Sequence, residues 1–200
     1  MQSGCHILLL VQECADTIAD EFIVPMSDLR LQPTLSNDLV RLRPLQEQDW
    51  EPLYAVASDP LIWEQHPVKT RSQRAGFEQF FQASLASKGA LVAIDQQTQT
   101  VIGSSRFKLT ANPKAIEIGW SFLGRAYWGG QYNKAIKGLM IQHALQYWST
   151  VVFFIANDNL RSQRAVEKIG GRRLHDPVSE QLSPANVEDF VYIITNWQEE

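Results

Sequence analysis

The sequence predicts an α/β domain, α+β in arrangement, with helices interrupting a mixed sheet. Three observations carry this. Segments of period two alternate with segments of period 3.6, a polar turn separates two adjacent strand patterns, and a glycine turn joins a strand pattern to an amphipathic helix. The chain has 200 residues, 44% of them hydrophobic and 20% charged, an ordinary balance for a folded domain with its own core. The expected order from residue 38 is strand, two helices, three antiparallel-type strands, helix, strand, helix, strand. That order suits two or three layers, with ligand binding where neighbouring strands splay.

Each element has a local reason. Leu39-Val-Arg-Leu-Arg43 alternates apolar and basic residues as a half-buried strand does, and Pro44 ends it. Glu47 to Ala57 places Trp50, Leu53, Tyr54 and Ala57 on one helical stripe, terminated by Asp59-Pro60. Ser72 to Ser87 does the same with Phe77, Phe80, Phe81 and Leu85. Leu91 to Ile94 and Val101 to Leu109 read as a hairpin across the polar turn Asp95 to Thr100. After Asn112-Pro113, the residues Ile116, Ile118, Trp120 and Phe122 alternate with Glu117, Gly119 and Ser121, giving a strand with one packed and one small, polar face. Ile136 to Trp148 is an amphipathic helix, Val151 to Ile155 a buried strand, and Leu160 to Ile169 a helix closed by Gly170-Gly171. Glu188 to Thr195 is the last strand.

Charge and cysteine usage narrow the function. Net charge is −4, yet residues 1–25 hold four acids and no Lys or Arg, leaving the rest of the chain neutral. A neutral body with pI near 5.6 has no electrostatic footprint for nucleic acid. Both cysteines, Cys5 and Cys14, lie in that first segment, and the four histidines are scattered, so neither a disulfide framework nor a metal site is expected. Ile7 to Val11 is too short to span a bilayer and lacks the flanks of a secretory signal, so a cytoplasmic protein without membrane association is expected. Composition shifts at Met26, a second possible start. Residues 1–25 are expected to be an extension of unknown role, and residues 26–200 a single domain.

Two motifs carry chemistry. In Trp128-Gly-Gly-Gln-Tyr-Asn133 a glycine turn feeds a helix N-terminus, where free N–H groups and the helix dipole converge on an anion such as a pyrophosphate. Arg125, Lys134 and Lys137 add positive charge nearby. The alternative is a plain strand-to-helix turn. The run is neither a nucleoside-triphosphate P-loop nor a G-x-G-x-x-G fingerprint. The second motif is Asn159-Leu-Arg-Ser162, in which Asn159 either caps a helix or orients a cofactor amide while Ser162 faces a reacting sulfur.

The run Glu117-Ile-Gly-Trp-Ser-Phe-Leu-Gly-Arg-Ala-Tyr-Trp-Gly-Gly-Gln-Tyr-Asn133 resembles the acetyl-CoA-binding core of GNAT N-acetyltransferases. Together with Asn159-Leu-Arg-Ser-Gln-Arg-Ala-Val-Glu-Lys-Ile-Gly170, it is similar to the RimJ/RimL-like branch, as are Leu39 to Pro44 and Val101-Ile-Gly-Ser-Ser105. The likeness spans about residues 35–196. It implies a mixed, mostly antiparallel sheet of six or seven strands with about four helices, splayed between the strands at 115–123 and 151–156. Phe122 and Leu123 would then offer backbone hydrogen bonds to the pantetheine arm of acetyl-CoA. Trp128, Gly129, Gly130, Gln131, Tyr132 and Asn133 would wrap its pyrophosphate. Against the superfamily's Arg/Gln-x-x-Gly-x-Gly/Ala, this chain has Trp128, Gln131 and Asn133 at the marked positions, its glycines having moved to 129 and 130.

The resemblance also implies direct transfer of an acetyl group to a primary amine, on a peptide N-terminus or a small molecule. Glu117 is the expected general base, or else the partner of Arg106 or Lys108 in a cross-strand ion pair. Many relatives use a tyrosine to protonate the departing thiolate; Val166 stands at that position here, leaving Ser162 as the nearest hydroxyl. Trp63, Glu64, His66, Ser105 and Trp120 are expected to form the acceptor pocket, with Ser104 and Arg106 beside them. His66 is a second base candidate or an ordinary loop histidine. The competing reading is a non-catalytic acyl-CoA sensor of the same fold. The protein is expected to be a monomer or homodimer.

Overall fold

A computed structural model of the chain describes residues 30–176, 181–182 and 188–197. The expected extension at residues 1–25 lies outside them. The strands are β1 (Leu35–Ser36), β2 (Val40–Pro44), β3 (Ala90–Asp95), β4 (Val101–Leu109), β5 (Ala115–Leu123), β6 (Thr150–Ile155), β7 (Arg172–Leu174) and β8 (Phe190–Ile194). The α-helices are α1 (Trp50–Ala57), α2 (Arg74–Ala86), α3 (Gln131–Ala144) and α4 (Leu160–Glu167). Short 3-10 turns cover Glu47–Asp49, Pro60–Trp63, Lys69–Ser72 and Arg125–Tyr127.

The strands form one sheet in the order β1-β2-β3-β4-β5-β6-β8-β7. Every pairing is antiparallel except β5 with β6. The eight strands among the described residues exceed the six or seven expected. The additions, β1 and β7, are two and three residues long, too short to show a period, and β7 opens on two arginines. Helices cover both faces, so the domain has three layers. Ile136, Met140, Ile141 and Ala144 of α3 and Val166 of α4 pack with Val40, Leu42, Ile116, Ile118 and Val151 on one face. Leu53 and Ala57 of α1 and Phe77, Phe80 and Phe81 of α2 pack with Val92, Ile94 and Phe122 on the other.

Two interruptions of the sheet create the site. β5 pairs with β6 only at Ala115↔Thr150, Ile116↔Val151 and Glu117↔Val152, after which the two strands part. Further along β5, Trp120 and Ser121 together face the single residue Ser105 of β4, which is a β-bulge. Trp120 takes the left-handed conformation there, with φ 51°. The bulge corrects the simple alternation expected for this strand. Ile116 and Ile118 lie in the core under α3, whereas Phe122 lies in the core under α1 and α2 with Trp120 against it. The added residue shifts the parity of every side chain beyond it.

Phe77 is fully buried and packs its ring against Trp50, Tyr54, Phe80, Phe81 and Phe122. Phe77→Ala is expected to destabilise the domain by about 3–5 kcal/mol, the usual range for emptying such a site, read as a lower urea midpoint with an unchanged slope.

Candidate active site

Glu117 is the last β5 residue paired with β6, at the apex of the wedge. Its side chain is buried and, by alternation with Ile116 and Ile118, faces the α1/α2 side. Lys108 Nζ lies 3.9 Å from Oε2, so the expected cross-strand partner is Lys108 and the contact is a loose one. Gly119 leaves the carboxylate room, because a Cβ at 119 would stand 3.1 Å from Oε1. Burial pushes the Glu117 carboxyl up to about 6 against the opposing pull of Lys108 and Arg106, and Asp189 pushes it further in the same direction. A carboxylate held near neutrality is suited to taking a proton.

The glycine turn presents main chain rather than side chain. Gly129 has φ 73°, and neither it nor Gly130 would bring a Cβ within 4 Å of any atom, so both border open space. Gly130 caps the 14-residue helix α3 with no side-chain hydrogen bond, leaving the N–H groups of its first turn free of a side-chain cap. Trp128 turns back to donate from Nε1 to the Leu123 carbonyl at 2.7 Å, and the Tyr132 hydroxyl donates to Asp95 at 2.6 Å. The Leu123 carbonyl is therefore already engaged. The cations expected around phosphates are mostly elsewhere. Arg125 pairs with Asp59, and Lys137 is buried.

At the start of α4 the Asn159 side-chain oxygen accepts from the Ser162 N–H at 3.1 Å, so the capping role is realised. Val166, where the resemblance implies a tyrosine in many relatives, is buried in the core with residues of α3. Between these two residues sits a clamp that sequence reading missed. Arg161 stacks its guanidinium 4.2 Å from the Trp128 ring and donates to the Ile62 carbonyl at 2.6 Å. Gln65 completes it by accepting from the Arg161 N–H at 3.0 Å.

The expected acceptor pocket is only partly assembled. Trp63 is 2% exposed, donates to the Ala57 carbonyl and packs on Phe80 and Phe122, so it belongs to the core rather than to an open wall. Glu64 is exposed. Both ring nitrogens of His66 are engaged: Nδ1 accepts from the Val68 N–H at 2.9 Å and Nε2 lies 3.0 Å from Arg71. Burial, aided by the charge of Arg71, lowers its pKa to about 4, leaving a neutral and weak base. Trp120 lies on the α1/α2 side of the sheet, under the Arg106 guanidinium at 3.8 Å.

Ser105 is corrected to the opposite face. It is buried against α3, where its hydroxyl meets Ser121 Oγ at 2.8 Å and receives Lys137 Nζ at 3.0 Å. Ser121 follows it there because of the bulge, so the small, polar face expected for β5 is divided between two sides of the sheet. Lys137 was expected beside phosphates; the signal for its burial was its place three before Met140 and seven before Ala144 on the apolar stripe of α3.

The geometry thus comprises a splayed parallel pair, an open glycine turn at a helix start and a buried carboxylate at the apex, an arrangement that suits the acetyl-CoA-dependent acyltransferase the sequence resembles. Residues 40–172 match the sequence profile of the acetyltransferase (GNAT) domain, and the chain belongs to that family. Its reaction is acyl transfer from acetyl-CoA. Solved structures with the same fold include an acetyltransferase from Agrobacterium tumefaciens (23% identity, TM-score 0.64, covering 82% of this chain and 95% of that one). A GCN5-related N-acetyltransferase from Brucella melitensis gives 19% identity and TM-score 0.66 over 83% and 79% of the two chains. A Vibrio cholerae protein provisionally named a ribosomal-protein-serine acetyltransferase gives 16% and 0.64 over 82% and 97%. At these identities the likeness shows the fold alone. A search of curated protein sequences found no match. Among the described residues no group of three or more His, Cys, Asp or Glu is arranged to hold a metal, and no helix is long and apolar enough to cross a membrane.

Burial lowers the Lys137 ammonium from an ordinary 10.5 to about 7. The folded chain therefore binds fewer protons than the unfolded chain between those values, and this residue makes stability rise with pH across that window. Lys137→Met is expected to remove that part of the slope, measured by urea denaturation of both chains from below pH 7 to above pH 9.

Proposed function

We propose that the protein is an N-acetyltransferase that moves the acetyl group of acetyl-CoA directly to a primary amine in a ternary complex. Residues 26–200 are the catalytic unit, working in the cytoplasm. The observation that carries this reading is the buried Glu117 carboxylate at the point where β5 and β6 part, its pKa raised to about 6. An ammonium cannot attack a thioester until it loses a proton, and a carboxylate held near neutrality at that apex accepts it directly or through water. The neutral amine then attacks the carbonyl carbon, the nitrogen gives up its second proton as the C–S bond breaks, and the departing thiolate takes that proton.

The first turn of α3, with the main chain of 129–133, would hold the pyrophosphate, since two glycines bordering open space let a ligand approach the backbone. Asn159 fixes the start of α4, and the Ser162 hydroxyl there would hydrogen-bond the thiolate. The name of the Vibrio cholerae neighbour supports a protein acceptor, and the resemblance to the RimJ/RimL-like branch suggests a peptide N-terminal amine as one acceptor class, beside small-molecule amines. Val166, buried where relatives of this fold place a tyrosine, favours the second reading, an acyl-CoA sensor without turnover.

Thiol release with acetyl-CoA and a panel of amines separates the two: turnover supports the transferase, and cofactor binding without turnover on any amine supports the sensor. For an acceptor that binds as an ammonium titrating near pH 8, kcat/KM should be level between about 6 and 8, and log kcat/KM should fall with slope one below about 6 as Glu117 protonates. Glu117→Gln leaves only amine deprotonated in solution, so it is expected to lower kcat/KM by about 10²- to 10⁴-fold and to move the slope-one fall up to about pH 8. An unaltered profile removes Glu117 as the base.

A further inference from the structure

The cationic groups on the acceptor side of the sheet exceed what a base for a simple amine requires. Arg71, in the turn before α2, is half-buried, with its guanidinium 4.6 Å from the Phe80 ring and 5.5 Å from Trp63. Arg106 of β4 is 92% buried by its relative exposure of 8%, stacked on Trp120, with Nη1 donating to the Ala83 carbonyl at 3.1 Å. Its Nε is buried with no hydrogen-bond partner among the described residues. The charge of Arg106 is felt at Arg71, and that of Glu117 at Arg106, so Arg106 couples to both. Neither arginine forms an ion pair within 4.0 Å among the described residues.

Two like charges drawn out of water beside each other are unfavourable unless something negative faces them. Burial holds both guanidinium groups down to about 10, still far above neutrality, so both remain charged. Both guanidinium groups pack on aromatic rings, Arg71 on Phe80 and Arg106 on Trp120, and a guanidinium so held is suited to a planar, two-oxygen acceptor. Glu117 lies at the opposite end of this series of charges and suits an ammonium.

We infer that the acceptor is an amine that also carries a carboxylate, with Arg71 and Arg106 binding the carboxylate while the amine lies toward Glu117. This inference rests on the transferase reading and names the acceptor class for the same site. The carboxylate has two possible sources, the α-carboxylate of a free amino acid or the side chain of an N-terminal Asp or Glu of a peptide. Arg71 and Arg106 are specificity residues in this scheme and take no part in the bond-making step.

The test is thiol release with matched acceptors: free amino acids against their carboxamides, and peptides beginning with Asp or Glu against peptides beginning with Asn or Gln. The carboxylate member is expected to show KM about 10- to 100-fold lower in at least one series, the range that charge-assisted hydrogen bonds carry. Preference in the amino-acid series assigns the α-carboxylate, and preference in the peptide series the side chain. Arg71→Gln should collapse that ratio, with Arg71→Lys restoring part of it and KM for acetyl-CoA unmoved. If Arg71→Gln does not fold, the matched-acceptor ratios of the unaltered protein decide. Turnover with equal KM in every pair overturns this inference alone. Acetyl-CoA binding without turnover on any acceptor overturns the transferase reading, and this inference with it.

Discussion

The architecture depends on how little of β5 pairs with β6. Three residue pairs hold the two halves of the sheet together, and the core under α3 closes over them with Ile116, Val151 and Met140. A longer ladder would satisfy more backbone groups but leave no wedge between the strands. A shorter one would separate β6, β8 and β7 from the rest. Keeping the pairs at the N-terminal ends of both strands puts the opening at their C-terminal ends, where α3 and α4 also begin. Two helix starts therefore follow the strand ends that border the gap, the first without a side-chain cap and the second capped by Asn159.

The bulge at Trp120 turns that gap into a place with two different sides. Without the extra residue, Glu117 and Ser121 would share a face. With it, Ser121 joins Ser105 and Lys137 under α3, while Trp120 and Phe122 join the aromatic side of α1 and α2. Left-handed backbone is unfavourable for an aromatic residue. The Arg106 guanidinium stacked on Trp120 and the packing of its ring against the second core offset that strain. The outcome is a carboxylate near neutrality and two guanidinium groups gathered on one side of the sheet, with the buried lysine isolated on the other.

Much of this was readable from local pattern. The hairpin at Asp95 is fixed by its own carboxylate, which accepts from the N–H groups of Gln97 and Thr98, so a polar run between two apolar strands sufficed. The α3 and α4 motifs were legible because a glycine turn and a capping Asn act within a few residues of themselves. The bulge was not, since nothing in Ile-Glu-Ile-Gly-Trp-Ser-Phe breaks a period-two pattern; only the pairing with β4 reveals the added residue. Ser105 and Trp63 were misplaced for related reasons. The face of one depends on register with the neighbouring strand, and the other is drawn inward by an indole bond to Ala57 and a ring packed on Phe122. Arg71 carried no signal in sequence, because its meaning comes from Arg106, which lies 35 positions later in the chain.

Arg161 shows why the two sides of the wedge hold a common geometry. Its ring contact reaches Trp128, which borders the glycine turn, and its hydrogen bonds reach the carbonyls of the 60s segment that carries His66 and leads to Arg71. Gln65 returns the bond to the Arg161 main chain, one residue from Ser162. The proposed thiolate partner, the glycine turn and the acceptor segment are thus tied to one side chain rather than to three independent loops. Main-chain carbonyls as its partners make the tie insensitive to protonation, since they do not titrate over the range in which Glu117 does. Chemistry that requires Glu117 to change charge can proceed while the frame that positions it keeps its own hydrogen bonds.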